Sequence, residues 1–95
     1  MSDYRMSGSG LYDASHQLIA KATGGSLFDS ANQRVGIIRG DTLFDLQNRK
    51  MMSVRGSEIY DASDNRVASL SVVTRAIRGA AEEIKDTALW YCFVR

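Results

Sequence analysis

Four aspartates recur at one spacing: Asp13, Asp29, Asp45 and Asp61 lie 16 residues apart. Three residues beyond each stands a second polar side chain, His16, Asn32, Asn48 and Asp64. Carboxylates repeated in this way could build a ladder of Ca²⁺ sites, because Ca²⁺ takes its ligands from clustered oxygens. Calcium loops, however, gather several carboxylates around each ion and set a glycine among them, whereas each segment here has one or two. Turn capping accounts for the column better. An Asp side chain accepts from backbone N–H groups two residues on, and Asn and Asp tolerate left-handed φ. No metal site and no cofactor is expected.

The remaining candidate groups are sparse. His16, the one histidine, has no cysteine within a metal-binding spacing and reads as a solvated turn residue. Cys92 lies in an apolar run, where cysteine usually behaves as a small buried hydrophobe. Nothing in the sequence brings the two together as a nucleophilic pair. Gly8, Gly10, Gly24 and Gly25 precede no strand-to-helix turn and form no phosphate cradle. With no catalytic constellation, the chain reads as non-enzymatic. Arg34, Lys50 and Arg66 form one basic column, and Arg39 with Arg55 another. Beside Tyr12, Phe28, Phe44 and Tyr60 they offer a possible ligand-binding face or stacking platform for single-stranded nucleic acid. A formal charge of +1, with Asp41, Asp45 and Glu58 nearby, favours a solvated basic face instead. A nucleic-acid partner is not expected.

The elements that carry these residues are repeats. Leu11-Tyr12-Asp13 returns as Leu27-Phe28-Asp29, Leu43-Phe44-Asp45 and Ile59-Tyr60-Asp61. Eight residues past each leading aliphatic stand Ile19, Val35, Met51 and Val67; eleven past it stand Ala22, Ile38, Val54 and Leu70. Gly24, Gly40 and Gly56 close the units, and Met6 and Gly8 extend the register backwards, so Tyr4 to Ser7 reads as half a repeat. Such a period reports architecture. Each unit divides into a short strand, a polar turn opened by Asp, and an alternating second strand. A glycine and a turn cluster in every unit leave no room for an amphipathic helix. The chain is therefore expected to be mainly β: 16-residue β-hairpin repeats over residues 4–70, forming a meander that curls into a roll. A β-solenoid is the alternative, and the short turns favour the meander. Leu27, Leu43, Val35, Val54 and Ile38 should be core.

Beyond Leu70 the pattern stops. Ser71 to Gly79 reads as a short helix with Ser71 as N-cap and Gly79 as its stop, and Ala80 to Lys85 as a further turn or two. Ala88 to Val94 is apolar on both alternating faces and reads as a final strand covered on both sides, pairing with a free edge. Residues 1–95 form one domain. One cysteine allows no internal disulfide, the N-terminus has no apolar signal region, and the longest apolar run is too short to span a bilayer. A soluble, cytoplasmic protein is the default, with signal-less export open.

The aromatic–Asp turn leading into Arg–aliphatic, as in Phe28-Asp29 to Arg34-Val35 and Tyr60-Asp61 to Arg66-Val67, resembles YD-type tandem repeats. These occur in large bacterial shell-forming toxins and in small bacterial proteins of Tyr-Asp-x-x-Gly-x-x-Val-Gly units. Gln33, Arg49 and Asn65 stand near where that family often has glycine. The resemblance implies β-hairpin repeats and a bacterial or phage source, but no activity. The expected function is a structural or protein-interaction module, as in a secretion, toxin or phage assembly. Leu89, Trp90, Tyr91, Phe93 and Val94 carry more apolar surface than a strand of so small a fold readily hides, so they are the candidate interface of a homo-oligomer. Another protein is the second possible partner.

Overall fold

The computed structural model describes residues 3–95. Its strands are β1 (Tyr4–Ser7), β2 (Gly10–Tyr12), β3 (Leu18–Thr23), β4 (Ser26–Asp29), β5 (Arg34–Arg39), β6 (Thr42–Phe44), β7 (Lys50–Arg55), β8 (Glu58–Asp61) and β9 (Arg66–Ser69). Helix α1 (Leu70–Ala76), strand β10 (Ile77–Arg78) and helix α2 (Ile84–Phe93) follow. The ten strands form one open sheet, in which each strand from β1 to β8 pairs antiparallel with the next. Strand β10 returns beside β1 in parallel.

Two turns alternate, and local chemistry dictates both. In the first, Asp13 Oδ1 accepts from the N–H groups of Ser15 (2.8 Å) and Gln17 (3.0 Å). Asp29, Asp45 and Asp61 repeat the same pair of bonds in their own turns. In each of these turns the third residue past the Asp takes positive φ: His16 64°, Asn32 65°, Asn48 68° and Asp64 64°. The carboxylate thus satisfies two N–H groups that the sharp chain reversal would leave unpaired. The N–H bond from Arg49, the largest influence, holds the Asp45 carboxyl below its ordinary range. The second turn puts Gly8, Gly24, Gly40 and Gly56 at φ near +60°, which glycine adopts without steric cost. The N–H groups of Ala22, Ile38, Val54 and Leu70 then donate to carbonyls of Ser9, Gly25, Asp41 and Ser57, tying each unit to the turn before it.

A feature absent from the sequence reading recurs with the same period. Leu11 pairs with Ala20 and Tyr12 with Leu18, which leaves Ile19 as an extra residue. Val35, Met51 and Val67 are extra in the same way. These are β-bulges, which bend a strand and increase its twist. All four pack half-buried against the core. The leading aliphatics Leu11, Leu27, Leu43 and Ile59 are wholly buried. Of the expected core residues, Leu27 and Leu43 are fully buried, while Val35, Ile38 and Val54 are half-buried around them.

The C-terminal segment corrects the expectation. Ala88 to Val94 is not a strand: it belongs to α2 and its last turn. Asp86, Thr87, Ala88, Leu89 and Trp90 are five consecutive buried residues. At 3.6 residues per turn they reach right around the helix, so this stretch is enclosed on every side. It packs on α1 and on β3, β5 and β6. A helix enclosed by its own fold is apolar around most of its circumference, as a strand covered on both faces is apolar on both. The run therefore suits either element. Helix α1 ends at Ala76 rather than Gly79, and Ile77–Arg78 takes the edge-pairing place expected of the last residues.

Asp86, 3% exposed, sits in the first turn of α2. Its Oδ2 accepts from the Ala81 N–H at 2.7 Å, whereas Oδ1 has no partner. Desolvation pushes its pKa up, reinforced by Glu83 and opposed by the Ala81 bond and Lys85. A carboxyl with a raised folded-state pKa binds its proton more tightly folded than unfolded. Its contribution to stability therefore falls as pH rises from the ordinary Asp value through the raised one. Urea unfolding should show that slope in the parent chain and a flatter one in Asp86→Asn, which keeps an acceptor for Ala81.

Candidate functional site

The bulges and α2 together build a groove. Val35 and Met51, two of the extra residues, face Tyr91, Cys92, Phe93 and Arg95 from the end of the helix, with Asp29 at the side. The groove has a volume of about 430 Å³. Its walls are chiefly apolar and its two charged residues are opposite in sign. The Arg95 guanidinium lies 3.8 Å from the centre of the Tyr91 ring, and its Nε donates to the Tyr91 carbonyl at 3.1 Å. These contacts hold the cation and the ring together at the helix end.

The residues expected to form one interface separate here. Leu89 and Trp90 are 0% and 6% exposed and belong to the core. Tyr91 and Phe93 are half-buried on the groove, and Val94 is half-buried against the core. The chain itself therefore covers two of the five side chains expected at an interface. Cys92 is exposed, not buried as expected, because a helix turns that position outwards. Desolvation nevertheless pushes its thiol pKa up, with Arg95 pulling the other way, so it lacks the lowered pKa of an activated nucleophile.

The basic columns end up largely neutralised. Arg55 lies 4.1 Å from the Tyr60 ring centre and Arg39 5.4 Å from that of Phe44. Lys21, which the columns missed, lies 5.7 Å from Phe28, its partner in register across β3 and β4. Lys50 and Arg55 reach Asp64 at 2.9 and 3.6 Å, and Arg66 reaches Glu58 at 3.0 Å. Lys50, above all, holds the Asp64 carboxyl below its ordinary range. Arg34 is exposed and lines neither this cluster nor the groove. Cations thus lie over the rings of Phe28, Phe44 and Tyr60, where a stacked base would compete with them, while none is seen over Tyr12 among the described residues. Among the described residues no three His, Cys, Asp or Glu side chains gather closely enough to hold a metal ion.

A family model described as a 5-fold beta-flower protein matches residues 4–93. The chain belongs to the 5-fold β-flower family. This overturns the resemblance to YD-type repeats. The aromatic–Asp step they share is a general device for capping a tight hairpin turn, so unrelated repeats reach it independently. No curated protein and no solved structure matches the chain significantly. Among the described residues of this β-flower chain, no helix is long and apolar enough to cross a membrane.

Proposed function

We propose that the chain is a non-enzymatic interaction module, a hairpin meander rolled around α2, that pairs with a second copy of itself through the groove. The groove carries this reading. Half-buried Tyr91 and Phe93 beside Val35 and Met51 form an apolar patch bordered by Asp29 and Arg95. A two-fold pairing sets the same patch against itself. Asp29 of one copy then approaches Arg95 of the other, and aromatic side chains fill the centre.

Sedimentation equilibrium tests this directly. The parent chain is expected to dimerise at tens of micromolar. Phe93→Asp and Arg95→Glu should yield folded monomers, the first by burying an unpaired charge and the second by placing like charges together. A parent chain that stays monomeric at that concentration overturns the reading. Salt-dependent binding of single-stranded oligonucleotides, lost in Arg39→Ala with Arg55→Ala, would instead support the basic face.

A further inference from the structure

Where β10 closes onto β1, Arg5 and Arg78 stand opposite each other in parallel register. Both are exposed and both line one pocket of about 190 Å³, together with Asp3, Asp13 and His16. Like charges directly opposite destabilise a strand pair. Elsewhere in the array such crowding is relieved, since Lys50 and Arg55 share Asp64. Among the described residues, neither Arg5 nor Arg78 has an ion-pair partner. Where the last unit has Asp64, the first has His16.

His16 adds a donor rather than a counter-charge. Arg5 Nη2 lies 2.9 Å from His16 Nδ1. A guanidinium can only donate, so Nδ1 accepts and the ring proton resides on Nε2. Asp13 has its Oδ1 committed to the two turn N–H groups. Asp3 and Asp13 oppose an anion and limit its affinity, but neither makes an ion pair with Arg5 or Arg78. We propose that this pocket binds a tetrahedral oxyanion, a phosphate group held between Arg5 and Arg78 with the His16 Nε2–H as third donor. Guanidinium pairs suit phosphate because their planar forks make parallel charge-assisted hydrogen bonds. This proposal is independent of the groove.

The test is an amide NMR titration of the whole chain at constant ionic strength, with inorganic phosphate in one arm and glycerol phosphate in another. Saturable shifts centred on Arg5, His16 and Arg78 are expected. Tighter binding of glycerol phosphate would identify a phosphomonoester, and equal or tighter binding of inorganic phosphate the free ion. Arg78→Gln and Arg5→Gln should each raise Kd about tenfold or more, the worth of a charged hydrogen bond. Arg39→Gln should leave it unchanged. His16→Asn, a residue that Asn32 and Asn48 show to suit this φ, should weaken binding less while keeping the turn. Shifts that do not saturate, or binding that survives in both arginine variants, would overturn the proposal.

Discussion

Leu89→Ala is expected to lower the unfolding free energy by about 2–5 kcal/mol, the usual cost of emptying a buried leucine site. Leu89 is wholly buried, in the part of α2 enclosed on all sides. Strands and α1 surround it, and they are held by their own ladders and turns, so the cavity cannot readily collapse. A chain of this size has a total stability of roughly 5–14 kcal/mol, so the loss is a large share. Urea unfolding gives the magnitude, and its dependence on protein concentration gives the cause. An intrinsic core residue lowers the midpoint equally at every concentration, whereas an interface residue acts through mass action. Phe93→Ala, at the half-buried groove, should cost less in dilute solution and show the concentration dependence that Leu89→Ala lacks.

That contrast falls where sequence reading stops. Asp13, Asp29, Asp45 and Asp61 announce their turns because the carboxylate, the N–H groups it receives and the positive-φ residue all lie within five positions. The leading aliphatics are legible for a similar reason: their period matches that of the turns. The bulges are not. Ile19, Val35, Met51 and Val67 look like one more core column, since nothing in the residues says that each is unmatched across the ladder. The groove depends on two of those bulges and on α2, so it was doubly hidden. The helix itself was ambiguous for a tertiary reason. Only the surrounding sheet decides whether an apolar run is a doubly covered strand or an enclosed helix, and Leu89 reads the same in both. Arg5 and Arg78 meet only through the closing strand, which no local pattern predicts.

Deleting Val35 should cost on the order of 3–5 kcal/mol, among the larger effects of a single-residue change. Phe28 pairs with Arg34 and Leu27 with Gly36, and Val35 lies unmatched between them. Its removal leaves both pairs intact and keeps their side chains on their faces. What disappears is the bend at that point, together with the cover Val35 gives the core and the groove. Val35→Ala removes most of the cover but keeps the bend, and should cost only about 1–2 kcal/mol at a half-buried site. The difference between the two urea midpoints therefore measures the bulge itself. Equal losses would mean that curvature comes from elsewhere. Position within the sheet sharpens the comparison. Strand β5 touches α2, whereas β9, which carries Val67, has no comparable contact with that helix. Deleting Val67 should therefore cost less than deleting Val35, because a flattened outer strand uncovers little of α2.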